Sequence, residues 1–428
     1  MVPSTSTMLL PFLVSVAVLS TVRAAPQFDA DIVEKVRLNA ISAAAQSWEF
    51  GTMMEAVVEH DSPHLGVFEA AAVPVTSHAV LPVAVSKSLD SALSGQPNGR
   101  KYYFNTGAVG DSASIGVTAL MAGIATNNSA YTTSAKNQLD YLLHDTPRQG
   151  DIISHRIEYF QAWADFVSMA PPFIAYSGVV SDSKSLLSNA YEQCKGYRSI
   201  LQDPSTKLWR HIIGGPWNDT GLWATGNGWA AYGMLRVQQT IAKSQFASDL
   251  KNESADLLVW TNEILNATWA RQTKHGALVN YLDRKGQFED SAGTALLAAA
   301  TYRIATITQT DVNIPAAERA LQRIIDLTDA DGWLHGPVDP LNFGKQASGH
   351  SPEGQSFVLL LESASRAYYA ATSPPAQNNA PVPNTAGSPS SSSSSSSPPP
   401  APSNPLSALS WADVIAEVVN SLDKTQNA

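Results

Sequence analysis

The stretch "HRIEYFQAWADFVSMAPPFIAYSG", His155 to Gly178, places Asp165 between Ala164 and Phe166 in a run of large apolar and aromatic side chains. A carboxyl there can handle protons, with an adjacent indole and a helix N-terminus acting on its pKa in opposite directions. On one continuous helix, Tyr159, Trp163 and Phe166 would form an apolar stripe and Glu158, Gln161, Asp165 and Ser168 a polar one. Asp165 would then be an ordinary solvated position. Pro171 and Pro172 argue against that helix and place Asp165 near a helix start instead. Asp111, in "GAVGDSASIG", reads by itself as a cap or turn residue. His155 and His211 (in "KLWRHIIGG") read singly as packed or exposed residues.

Other chemistries fit poorly. His155 and Glu158 are three apart, but H-E-x-x-H, a cysteine cluster and a calcium loop are all missing, so no metal site is expected. The chain contains neither G-x-S-x-G nor a glycine-rich phosphate loop. What remains is a set of Trp-rich loops with scattered carboxyls. Aromatic faces stack on sugar rings and one or two carboxyls suffice for glycosidic acid/base work, so an oligosaccharide is the expected partner.

The elements that must position these groups read as helix after helix, with apolar residues recurring at three- and four-residue steps from "ADIVEKVRLNAISAAAQSW" to "EGQSFVLLLESASRAYYAAT". Nearly uncharged helices such as "SAGTALLAAATYRI" alternate with ones like "PAAERALQRIID" that carry a charged face. An inner and an outer ring would produce that alternation, although a solenoid or bundle shares the hairpins, and periodicity alone supports a large all-α domain. "NTGAVGDSAS", "GGPWNDTGLWATGNGW", "RKGQFEDSAGT" and "DPLNFGKQASGHSPEGQ" each precede an inner-type helix. If those helices run parallel, the four segments gather at one mouth.

The chain has 428 residues and a formal net charge of −10, which disfavours nucleic acid as a partner. Residues 1–24 read as a secretory signal, and no later segment reads as a membrane span. Secretion gives meaning to the N-x-S/T triplets at Asn127, Asn218, Asn252 and Asn266, while the single Cys194 rules out a disulfide within the chain. The folded domain is expected over 25–374. A disordered Ser/Pro-rich linker follows over 375–405, and a short amphipathic C-terminal helix with Trp411, Ile415, Val418 and Leu422 over 406–428.

Taken together, "ISHRIEYFQAWADFVSMAPPFIAYSG", "LWRHI", "WATGNGWAAYGMLRV", "FEDSAGTALLAAATYR" and "SPEGQSFVLLLESASRAY" resemble glycoside hydrolase family 105, the unsaturated rhamnogalacturonyl hydrolases, and the related unsaturated glucuronyl hydrolases. The resemblance runs from about Tyr103 to Tyr369, with the motifs in family order. It implies an (α/α)6 barrel of six helical hairpins with its active site at the mouth. It also implies a 4,5-unsaturated uronyl substrate and no metal or organic cofactor. Asp165 matches the family's acid/base and Trp163 the wall residue beside it, with Asp111 as a looser match to a second site aspartate. His155 and His211 fall at substrate-contacting histidines, and Trp229 closes the G-N-G-W motif. Thr225 stands where bacterial members commonly carry Arg, a departure that leaves sugar specificity open. Two other functions are compatible with the sequence. One is an inverting glycosidase on a saturated glycan that uses Asp111 and Asp165, and the other a secreted glycan-binding protein without catalysis.

Overall fold

The structure, a computed structural model, describes residues 25–94 and 107–372. The expected signal segment, the Ser/Pro-rich linker and the terminal helix fall outside the described residues. Among the described residues six helical hairpins follow one another, each an outer helix and then an inner one. They are α1 (Ala30–Ala43) with α2 (Ser47–Asp61), and α3 (Val83–Ser94) with the broken pair α4 (Val109–Ala113) and α5 (Gly116–Thr126). Next come α6 (Ser129–His144) with α7 (Phe166–Met169) and α8 (Pro171–Val180), then α9 (Lys184–Leu201) with α10 (Ala224–Ala242). The last are α11 (Lys251–Trp269) with α12 (Ser291–Thr308), and α13 (Ile314–Leu327) with α14 (Pro352–Thr372).

Packing closes the inner helices into a ring. α2 lies against α4 and α5, α5 against α8, α7 and α8 against α10, α10 against α12, α12 against α14, and α14 back against α2. This is the (α/α)6 barrel. Sequence dictates which helix goes where: α12 is buried at every position from Ser291 to Ala305, whereas α13 buries Ile314, Ala317, Leu321 and Ile324 and turns Arg319 and Gln322 outward. Small residues let the inner helices approach closely. At Gly233 of α10 a Cβ would come within 2.3 Å of the Val167 carbonyl oxygen on α7. The run Val109–Thr126 is long and apolar enough to cross a bilayer, but 78% of it is buried within the barrel.

Among the described residues three short antiparallel pairs decorate the loops that enter inner helices. They are β1 (Arg148–Gln149) with β2 (Ile152–Ile153), β3 (Gln161–Trp163) with β4 (Ile212–Gly214), and β5 (Val338–Asp339) with β6 (Asn342–Gln346). All six inner helices start at this end, so the loops form one mouth. The first helix differs from the sequence reading: "ADIVEKVRLNAISAAAQSW" is split after Ala43, because the Glu49 carboxylate accepts from Ala45 N and Gln46 N, both at 2.8 Å, and starts a new helix.

Candidate active site

A cavity of about 620 Å³ opens at the mouth, walled by Asp111, Asp165, Glu353, His155 and Arg156 together with the aromatic rings of Trp48, Trp163, Trp217, Trp223 and Phe343. The segment around Asp165 is not a continuous helix. Strand β3 pairs Trp163 with Ile212, and the Gln161 side chain donates to the Gly214 and Trp217 carbonyls at 3.0 and 2.7 Å, so 161–163 is held extended. The chain turns at Asp165, which flanks the first turn of α7, and Pro171 opens α8 where its missing N–H costs nothing. Ser168, grouped with Asp165 on the hypothetical polar stripe, is buried.

Asp165 makes no side-chain cap bond to its own helix, and its carboxyl turns to His211 instead: Oδ2 lies 3.5 Å from His211 Nε2. On the far side, His211 Nδ1 lies 3.0 Å from Asp219 Oδ2. Asp219 also accepts from the Tyr281 hydroxyl, from Arg284 Nη2 at 3.2 Å and from Gly221 N at 3.1 Å. Burial alone would depress the His211 pKa, but the two flanking carboxylates outweigh it and raise it above the ordinary value. The same contacts overcome the effect of burial on Asp219 and pull it down to about 2. Trp223 and Phe343, with ring centroids 4.3 and 4.5 Å from that of His211, fix the imidazole plane. His211 is fully buried and does not line the cavity, so it acts on Asp165 from behind.

Asp111 is not a cap. It is the third residue of α4, whose N-cap position is Ala108, and its carboxyl faces the cavity. Burial raises its pKa to about 7, the charge of Asp165 adds to the rise, and Arg156 opposes it. His155 Nε2 lies 3.6 Å from Asp111 Oδ1, and its ring stacks on Trp163 at 4.8 Å and 25°. Burial pushes His155 down to about 3, so it stays neutral through the ordinary pH range. Gly110 admits this packing, since a Cβ there would come 2.7 Å from His155 Nδ1.

Besides His211, expected as a substrate contact, two more expected site positions lie outside the cavity wall. Thr225 is fully buried in the first turn of α10 and donates from Oγ1 to Asp290 Oδ2 at 2.7 Å. It ties α10 to α12 and meets no ligand space. Trp229, one turn further along, packs edge-on against Phe357 of α14 at 4.7 Å, within the inner ring. Conversely, Glu353, Arg156, Trp48, Trp217, Trp223 and Phe343 line the cavity without having been singled out by their spacing. The Trp-rich "GGPWNDTGLWATGNGW" and the segment "DPLNFGKQASGHSPEGQ" did mark the regions that supply four of these six, Trp217, Trp223, Phe343 and Glu353. Among the described residues no group of three or more His, Cys, Asp or Glu side chains is arranged to hold a metal ion.

A double ring of helices with carboxyls and indoles around a mouth cavity defines a six-hairpin barrel. The sequence profile described as Glycosyl Hydrolase Family 88 matches residues 87–351, and the chain belongs to that family. It is 27% identical over 233 residues to a protein of Bacillus subtilis (strain 168) named unsaturated rhamnogalacturonyl hydrolase YesR. That match covers 51% of this chain and 63% of the relative, so it spans a little under two thirds of the relative's length. Two crystal structures share the fold, each described as a possible member of glycoside hydrolase family 105. The one from Klebsiella pneumoniae has a TM-score of 0.66 and 15% identity, covering 84% of this chain and 99% of that one. The one from Salmonella enterica has a TM-score of 0.64 and 16% identity, covering 83% and 99%.

Proposed function

We propose that this chain is a glycoside hydrolase that hydrates the C4=C5 bond of a 4,5-unsaturated uronyl residue at the end of an oligosaccharide, with Asp165 as its acid and base. Pectin-derived unsaturated galacturonyl fragments are the first choice of substrate, in keeping with the named Bacillus relative. The observation that carries the reading is Asp165 itself, a cavity-lining carboxyl backed at 3.5 Å by a histidine that a second carboxylate holds.

The chemistry follows from that geometry. The Asp165 O–H bond breaks and the π electrons of the enol ether take the proton at C4, leaving an oxocarbenium ion shared between C5 and the ring oxygen. His211, carrying a proton between Asp165 and Asp219, stabilises the carboxylate that Asp165 becomes. Water then adds its oxygen to C5 and passes a proton back to Asp165. The hemiketal opens by breaking the bond between C5 and the ring oxygen, and the hemiacetal at C1 collapses to an aldehyde and releases the next sugar. One carboxyl serves both proton transfers, so the separation that sorts ordinary two-carboxyl glycosidases does not apply. Trp163, braced by the 2.7 Å bond from Nε1 to Gln161 Oε1, offers a ring face beside the reacting carbons.

The test follows the loss of enol-ether absorbance on lyase-generated uronyl oligosaccharides. Wild type should remove it, and Asp165→Asn should lower kcat by about 100-fold or more, the range for a lost acid/base. Absorbance that persists at high enzyme concentration across several unsaturated uronyl substrates would sink the proposal. Cleavage of saturated polymers instead would point to Asp111 and Asp165 acting as a two-carboxyl pair.

A further inference from the structure

Glu353 has no part in the steps above, yet it is a third carboxyl on the cavity wall. It lies in the first turn of α14 and is 2% exposed. Its Oε2 accepts from Trp48 Nε1 at 3.0 Å, while Oε1, also buried, has no hydrogen-bond partner among the described residues. The ionisable groups acting on it are all acidic: Asp165 at the start of α7, Glu49 of α2 and Asp290 ahead of α12. Glu49 is itself engaged by Ala45 N and Gln46 N. Against this stand only the N–H donated by Trp48 and the partial positive charge of the α14 N-terminus. Burial first, and these neighbours second, push Glu353 well above the usual carboxylate range.

A carboxyl held neutral has one O–H to donate, and a buried polar atom without a partner is costly unless a ligand completes it. We propose that Glu353 is a substrate-binding residue that donates a hydrogen bond from its carboxylic acid to a sugar hydroxyl oxygen in the cavity. Trp48 fixes the direction of the donor by occupying the other oxygen. An ionised carboxyl at this position would repel a uronyl substrate, whereas a neutral acid binds the sugar without adding negative charge to the cavity.

This inference rests on the substrate class proposed above, and the two can fail separately. The probe is an unsaturated galacturonyl-rhamnose disaccharide, assayed with wild type, Glu353→Gln, Glu353→Leu and Glu353→Met, each checked for folding by its melting curve. Gln keeps a neutral donor and should hold KM within about threefold of wild type. Leu and Met lack it and should raise KM by about tenfold, one neutral hydrogen bond's worth, with a smaller change in kcat. If Leu or Met matches wild type, or if Gln is as impaired as they are, Glu353 is not a neutral donor to the sugar. Should wild type leave the double bond intact, the proposed reaction fails, and calorimetric titration of the same disaccharide decides Glu353 by itself. Affinity lost in Leu and kept in Gln supports the assignment; equal affinities, or no binding to wild type, overturn it.

Discussion

Asp111 and Asp165 face the same cavity, but their partners differ in charge. Asp165 is backed by His211, whose pKa two carboxylates raise, whereas Asp111 is next to His155, which burial keeps neutral. With Asp111 near 7 in the folded protein and near 4 in an unfolded chain, the unfolded state releases its proton first as pH rises. Stability is therefore lost between about pH 4 and pH 7 on account of this residue. Asp111→Asn removes the penalty. It should raise unfolding free energy by roughly 2–4 kcal/mol at pH 8, have little effect near pH 4, and impair turnover. Denaturant titrations at the two pH values check the sign; equal stability of variant and wild type at pH 8 would show that burial does not raise the Asp111 pKa. The proline pair after Asp165 made its place at a helix start legible. Glu353 was not, because an acidic residue in a first helical turn is commonplace and its unpaired oxygen depends on side chains far away in sequence. Thr225 misled for the same reason: its partner Asp290 is 65 positions away, and nothing local shows the hydroxyl turned inward.

Asp290 illustrates how elements are fastened at the mouth. Its carboxylate caps α12 through Ala292 N at 3.1 Å and Gly293 N at 3.2 Å, takes the Thr225 hydroxyl from α10, and accepts from Val338 N of β5 at 3.1 Å. The hairpin of β5 and β6 carries Phe343, whose carbonyl accepts from Asn280 Nδ2 at 2.7 Å and whose ring packs on His211. One carboxylate thus links two inner helices to the hairpin that holds the His211 ring in place. Asp290→Ala should cost about 2–4 kcal/mol, more than an isolated cap, since it strands several buried donors. It should also lower kcat. Thr225→Val, which removes one of the four contacts, should cost about 1 kcal/mol. Thermal unfolding of both variants tests this, and equal losses would mean that Asp290 does not act as the shared anchor. Helical periodicity located most of the ring helices because each buries a stripe or its whole surface. It missed the break at Ala44, where an alanine-rich run contains no Gly or Pro and the only signal is a glutamate three residues into the next helix.

Across the whole molecule the six inner helices run the same way, so their positive dipole ends converge on the cavity and their negative ends on the opposite face. The mouth can therefore hold several carboxyls close together. The opposite end needs its own charges held in place, and there Arg303 of α12 donates to Glu59 of α2 at 2.7 Å and to Glu69 at 3.0 Å. Tyr232 of α10 donates to the same Glu59 oxygen at 2.7 Å, and Arg236 Nε lies 2.6 Å from Glu55. These contacts join α2, α10 and α12 across the ring. From Trp48 at the mouth to Glu59, eleven residues of helix put this network about 16 Å below the cavity. Arg303 and Glu59 side chains are 3% and 4% exposed, so removing one partner leaves the other charge buried. Arg303→Met should therefore destabilise the barrel by about 3–5 kcal/mol. Folded enzyme at 25 °C should keep kcat within about twofold of wild type, because no mouth residue depends on it. Arg303→Met combined with Glu59→Gln should recover part of the stability, since the stranded charge is gone. A single variant as stable as wild type would show that the network contributes nothing to closing the ring, and a large fall in kcat without loss of fold would show that the two ends of the barrel are coupled.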